Sequence, residues 1–315
     1  MISIIIANWR VIGGIFMGWS LGANNAANIF ATGVSARIVS YRTAVLLMAI
    51  FIILGSIIEG PKCMDIIKEV TELDLDAALL ISFSSAAAVA FMTVLGLPAS
   101  TSQAIIGSMI AYSLASGANS PDWWKLGKIF SCWIFTPVGA AFFSYLLYKI
   151  FAVFFKKFIK SDMAFNIAIK WLLIITGCYG SYTLGANNVA NATGVYYSSG
   201  ILNVNQACAI GGISIAFGVI TYSYKVMDTV GNKITNLGPL GAFIVVLANA
   251  VTIHVFTQIG VPVSSSQAVV GAVVGIGMVK GADSISKKVL TEIFLGWTSA
   301  PLISGIVTYI VFFIF

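Results

Sequence analysis

A seven-residue word occurs twice in this chain. It reads Gly22-Ala23-Asn24-Asn25-Ala26-Ala27-Asn28 and again Gly185-Ala186-Asn187-Asn188-Val189-Ala190-Asn191, a spacing of 185 − 22 = 163 residues in a chain of 315. Each copy places three amides within five residues of otherwise apolar sequence. Amides left unpaired in an apolar medium cost several kcal/mol each, so a chain that buries two such knots must hold them against something polar. The simplest arrangement makes the knots face each other and build one ion-binding site.

Three further landmarks repeat in the same order. Pro98-Ala99-Ser100-Thr101-Ser102-Gln103 returns as Pro262-Val263-Ser264-Ser265-Ser266-Gln267, offset by 262 − 98 = 164, and Trp133 and Pro137 return as Trp297 and Pro301. One order at one offset is an internal duplication. It divides the chain into a first repeat, 1–150, a connector, 151–163, and a second repeat, 164–315.

Charged residues make up 9% of the chain and hydrophobic residues 59%, against roughly 25% charged in a soluble domain. The mean hydropathy is +0.98. Long apolar runs at 4–20, 43–60, 77–97, 129–155, 171–184, 206–224, 240–260 and 289–315 predict membrane-spanning helices, not the alternating strands of a barrel. The fold class is therefore an all-α polytopic membrane bundle. Nothing at Met1 resembles a cleavable leader, so the first span is expected to be retained. The net charge of +6 is a membrane signal and implies no nucleic-acid partner. Lys149, Lys156, Lys157, Lys160 and Lys170 cluster around the connector, which the positive-inside tendency places in the cytoplasm.

The apolar pieces 104–114 and 268–279 are too short to span. Paired broken segments in corresponding positions are the mark of a secondary transporter with its site between two repeats. If each half crosses an odd number of times, the repeats are inverted and both termini lie outside. Lipid is the surrounding partner, and a homo-oligomer is compatible with the sequence.

The broken segments carry the chemistry. Ser100, Thr101, Ser102 and Gln103 precede a short helix, as do Ser264, Ser265, Ser266 and Gln267. A helix N-terminus offers free N–H groups and about half a positive charge, which makes an anion site without a basic side chain. Two such ends converging would suit a tetrahedral oxyanion. Asn24, Asn25, Asn28, Asn187, Asn188 and Asn191 offer carbonyl oxygens for Na⁺ and NH₂ groups for the anion.

Other polar residues are read more plainly. Ser82, Ser84 and Ser85 are expected to serve helix packing. Lone His254 is either a proton relay or a packed histidine. Glu59, Lys225 and Asp228 read as interface charges, and Arg10 either snorkels outward or pairs within the bundle. The acidic loop from Glu59 to Asp76 is expected to be solvated and long enough for a short surface helix. Cys63, Cys132, Cys178 and Cys208 are scattered packing residues with no metal or disulfide spacing. An enzyme lacks support, since no serine has an evident base, and an uncoupled channel ranks below a transporter because doubled amide knots suit tight ion sites. No cofactor is expected beyond a coupling Na⁺ or H⁺.

The doubled word resembles the Gly-Ala-Asn-Asp-x-Ala-Asn signature of the PiT inorganic phosphate transporter family, and the Pro-x-Ser-(Ser/Thr)-Ser-Gln blocks resemble that family's second element. The resemblance covers both halves. It implies an inverted-repeat bundle and cation-coupled phosphate symport, with ions at the six asparagines and the anion at Ser100 to Gln103 and Ser264 to Gln267. One departure stands out: Asn25 and Asn188 occupy the positions of the family's Asp. An all-amide, all-hydroxyl site is also compatible with sulfate, which has no proton to donate, and a sulfate permease branch resembles this family. Proton coupling would need His254 or a proton carried on the substrate. The glycines beside the knots, Gly22, Gly33, Gly185 and Gly194, are candidate hinges.

Overall fold

The computed structural model describes residues 9–70, 73–95, 99–117, 121–228, 237–280 and 287–314, with side chains described outside 287–296. Pro98 and the charges at Glu72, Lys233, Asp283, Lys287, Lys288 and Glu292 fall outside the described side chains. Every regular element among the described residues is helical. In chain order these are α1 (Ile12–Leu21), a π turn (Gly22–Ala26), α2 (Ala27–Ser35), α3 (Tyr41–Ile58), α4 (Pro61–Val70), α5 (Leu75–Val94) and α6 (Thr101–Ser116). They are followed by α7 (Trp123–Phe158), α8 (Asp162–Ser198), α9 (Val204–Tyr222), α10 (Gly238–Ile259), α11 (Ser265–Lys280) and α12 (Lys287–Ile314). Seven of them contain stretches long and apolar enough to cross a membrane.

Local signals start several of these helices. The Ser40 side chain accepts from the Thr43 amide, and Asp74 from the Ala77 amide. Asp122 accepts from the Trp124 and Lys125 amides, and Asn203 forms a capping box with Gln206. Each oxygen satisfies amides that have no intrahelical partner.

The duplication is visible in the elements. Shifting α3 by 163 gives the start of α9, and shifting α6 by 164 gives α11 end to end (101 + 164 = 265; 116 + 164 = 280). The contacts are reciprocal. A methyl group added at Gly22 would strike the carbonyl of Ile215, and one at Gly185 the carbonyl of Ile52; Gly55 faces Tyr182 as Gly218 faces Trp19. The short helices cross over too, with Gly107 of α6 against Pro301 of α12 and Gly271 of α11 against Pro137 of α7. When residue i meets j and the counterpart of j meets the counterpart of i, the halves are related by a two-fold axis.

The ends of the elements fix their direction. Arg10, just before α1, pairs with Asp76 at the start of α5 at 2.7 Å. The Asp122 amide, at the start of α7, donates to the Val70 carbonyl at the end of α4 at 3.0 Å, and Lys125 pairs with Glu69. So α5 enters from the side of α4 and α6 returns to it. With α5 and α6 paired as a hairpin, the first half crosses through α1–α2, α3 and α7, an odd number, which is consistent with inverted repeats. Only 159–161 separate α7 from α8, so the basic connector is largely helical. α7, 36 residues long, extends roughly 54 Å and projects beyond a hydrocarbon layer of about 30 Å. Exposed Leu46, Ile134, Phe142, Ile175, Phe217 and Ile310 face outward as lipid-compatible surface.

One sequence expectation is corrected. The second knot does not break its helix: Gly185 to Asn191 lies inside the continuous 37-residue α8, and the first knot is widened into a π turn but stays helical. The backbone carbonyls of these knots are thus committed to helix. The acidic stretch forms the short helix expected of it, α4, with Lys62, Asp65, Lys68 and Glu69 exposed and Cys63, Met64, Ile66, Ile67 and Val70 buried. Ile67 packs close to Gly194 of α8.

Candidate functional site

All fourteen residues singled out from the knots and blocks are buried, none more than 6% exposed. No charged side chain is buried among the described residues, so the field inside the bundle comes from dipoles. The N-termini of α6 and α11 supply the main positive ends.

The residues divide by task. Asn24 and Asn187 pin the extended links that precede the short helices. Asn24 Oδ1 accepts from the Ala99 amide at 2.8 Å, and its Nδ2 donates to Thr93 Oγ1 at 2.8 Å. Asn187 Oδ1 accepts from the Val263 amide at 2.7 Å, and its Nδ2 donates to Thr257 Oγ1 at 3.1 Å and the Val261 carbonyl at 3.0 Å, with Cys63 Sγ at 3.7 Å. Gly260, at φ +79°, ends α10 and turns the chain into the second link. Ser100 and Ser264 cap α6 and α11, each accepting from the amide three residues on at 3.4 Å. Four of the fourteen residues are thus occupied in building the frame.

The others converge across the two halves. Asn25 Nδ2 donates to Thr101 Oγ1 at 2.9 Å. Asn191 Nδ2 donates to Ser102 Oγ of the opposite repeat at 3.0 Å and to Asn188 Oδ1 at 3.0 Å. Ser266 Oγ donates to the Ala99 carbonyl at 2.9 Å. These bonds bring the first turn of α6 beside both knots and tie the first turn of α11 to the link that precedes α6.

Seven polar atoms of this group are buried without a partner: Asn25 Oδ1, Asn28 Nδ2, Gln103 Oε1, Asn188 Nδ2, Asn191 Oδ1, Ser265 Oγ and Gln267 Oε1. An orphaned buried polar group costs about 1–3 kcal/mol. Seven such atoms, a polar cage, are carried by the two knots and the first turns of α6 and α11. Four are carbonyl oxygens, hard ligands for a small cation, and three are N–H or O–H donors for an oxyanion. A carboxamide can also turn over and present its other face.

Sequence reasoning missed part of this set. Thr93 and Thr257, the partners of Asn24 and Asn187, repeat at 257 − 93 = 164 and were legible as a pair. Asn249, in the apolar run of α10, has both amide atoms buried and unpartnered. It stands where Ser85 stands in the first half (249 − 85 = 164), so the duplication hid it. Ser85 itself bonds Ser108 Oγ at 2.8 Å, and Ser82 bonds Tyr196 at 2.8 Å, as expected of packing serines. His254 lies outside the cage, against Glu59 and Tyr179.

The model of the phosphate transporter family matches residues 21–308. The protein named "Putative phosphate permease MJ0630" of Methanocaldococcus jannaschii is 32% identical over 99% of both chains. The sulfate permease CysP of Bacillus subtilis is 27% identical over 96% of this chain and 86% of its own. A solved structure described as the sodium-dependent phosphate transporter superposes with a TM-score of 0.85 at 26% identity, covering 100% of this chain and 99% of that one. A family model that spans both knots and both short-helix blocks, and a relative alignable from end to end, lead to one conclusion: this chain belongs to the phosphate transporter family.

Proposed function

We propose that this protein is a multi-pass cell-membrane symporter that carries inorganic phosphate together with Na⁺. The observation that carries the reading is the neutral cage of seven orphaned atoms between two helix N-termini. Asn28, Asn188 and Ser265 donate to the oxyanion together with the first free amides of α6 and α11. Asn25, Gln103, Asn191 and Gln267 turn their carbonyls to Na⁺. Without a buried carboxylate, each ion supplies the charge that the other needs, so the two bind together or poorly. Coupling follows from that mutual dependence. Asn24, Asn187, Ser100 and Ser264 hold the cage in shape. Sodium is favoured over the proton because no titratable group lines the cage, and because the solved relative is described as sodium-dependent.

Sulfate is the second reading. The family's Asp is replaced at both Asn25 and Asn188, and a carboxylate-free site does not repel a fully deprotonated dianion. The similarity to a sulfate permease supports it. The basic connector lies in the cytoplasm on this reading, with the beginning of α1 and the end of α12 outside.

Uptake of labelled phosphate and labelled sulfate into proteoliposomes, under a Na⁺ or a pH gradient, tests both readings. Phosphate uptake is expected to require inward Na⁺. Competition by sulfate alone would transfer the assignment to sulfate, and flux of either ion without any gradient dependence would replace the symporter with a channel.

A further inference from the structure

Among the buried donors without a partner outside the cage, two are indoles at matching positions of the repeats. Trp133 lies on α7 and Trp297 on α12, at equivalent positions of the two repeats (297 − 133 = 164). The indole Nε1 of each is buried and has no hydrogen-bond partner. An indole N–H can only donate. Leaving one orphaned is costly, and the same orphan at both equivalent positions is a property of the architecture.

Helix register shows what these donors stand beside. Gly271 of α11 lies against Pro137 of α7, and Gly275 against Ala141, so the two helices advance together four residues at a time. Gly107 of α6 lies against Pro301 of α12, and Gly305 against Gly107 and Ala111. One turn back along each pair, Gln267 stands level with Trp133, and Gln103 with Trp297. Those glutamines occupy the first turns of α11 and α6, and both of their Oε1 atoms are unpartnered. Each tryptophan is therefore in register with the first turn of a short helix that belongs to the opposite repeat.

We propose that Trp133 and Trp297 are binding residues for the transported oxyanion, each donating its indole N–H to one oxygen from opposite sides of the cage. An indole N–H cannot ligate a cation, so a pair of them aimed at one end of the cage also fixes which end the anion takes. This inference rests on the oxyanion-transport reading.

The test replaces each tryptophan, singly and together, with Phe, and in a second series with benzothienylalanine, which keeps the bicyclic shape and lacks the N–H. Inorganic phosphate and sulfate binding are measured by calorimetry on the full-length protein in detergent with Na⁺, and Na⁺ binding is measured without either anion. Loss of one charge-assisted bond is expected to weaken anion binding about tenfold per site, in both series, with Na⁺ binding in the absence of anion unchanged. Unchanged anion affinity in the benzothienylalanine double variant overturns the proposal, as does an equal loss of Na⁺ affinity, which would mark the rings as packing alone. Should the unmodified protein bind neither anion, the transport reading falls and takes this inference with it. Binding by the unmodified protein with no loss in the variants sinks this inference only.

Discussion

Glu59 Oε2 lies 3.2 Å from Nε2 of His254, and no equivalent pair exists in the other half. The same carboxylate accepts from Gln258 Nε2 at 2.7 Å and sits 3.3 Å from Lys62 Nζ, while Tyr179 lies 2.6 Å from the other nitrogen of His254. The counterparts of Glu59, His254 and Tyr182 are Tyr222, Ala90 and Trp19, and there the rings of Trp19 and Tyr222 meet at 5.9 Å. One face of the bundle is therefore closed by a charged network and the other by aromatic packing.

The first prediction concerns acid. Burial pushes the Glu59 carboxyl up, but hydrogen bonds from Gln258, Lys62 and Tyr182 and the charge of His254 outweigh it and hold the group below its usual value of 4.5. A carboxyl with a lowered folded pKa contributes stability that is fully present above 4.5 and lost as pH falls through the lower folded value. Glu59→Gln should flatten the acid limb of a Tm-versus-pH curve measured in detergent. Parallel curves for the variant and the parent below pH 4.5 would contradict the network's role.

Frame and cage should separate in mutagenesis. Asn24→Ala or Asn187→Ala leaves a buried backbone amide bare, at about 1–3 kcal/mol, while the threonine hydroxyl keeps its bond to its own helix. Both should lower Tm clearly. Asn25→Ala loses one bond but removes an orphaned oxygen, so it should leave Tm nearly unchanged while abolishing uptake. Thermal melts set beside proteoliposome flux make the comparison, and equal destabilisation at positions 24 and 25 would erase the distinction.

Charge in the cage should set selectivity. Asn188→Asp restores an acceptor for the proton that phosphate keeps near neutral pH, and it repels sulfate. The phosphate-to-sulfate uptake ratio should rise, and more strongly at pH 6 than at pH 8. A constant ratio would count against the electrostatic argument.

The crossover of the short helices should be intolerant of bulk. Gly107→Val and Gly271→Val would drive side chains into the backbones of Pro301 and Pro137, costing on the order of 1–3 kcal/mol by overpacking. Gly127→Val, where nothing lies within 4 Å, is the control and should melt like the parent.

Much of the architecture was legible because duplication writes each element twice. The knots, the Ser-Gln blocks and the Trp-Pro pairs mark the halves, and their order implies the broken short helices. Within the knots the sequence was mute. Asn24 and Asn25 are adjacent, yet one helical step turns the first toward a link and the second toward the cage, and only the surrounding helices decide which face is which. The inward face of α4 was obscured by its charges, although Cys63, Met64, Ile67 and Val70 follow helical spacing. Asn249 was hidden by having Ser85 as its counterpart. Arg10 was legible as a paired or snorkelling residue, and its partner Asp76 could come only from tertiary structure.

The π turn at Gly22–Ala26 sets the two knots apart. Nearly the same seven letters are wound as a π turn in one repeat and as regular α-helix in the other, and Asn25 reaches Thr101 while Asn188 Nδ2 and Ser265 Oγ stay unpaired. The choice of winding is therefore made by the surroundings. Two copies of one design thus hold their central amides in two different states within one molecule, one Nδ2 hydrogen-bonded from a widened turn and one left unbonded on a regular helix.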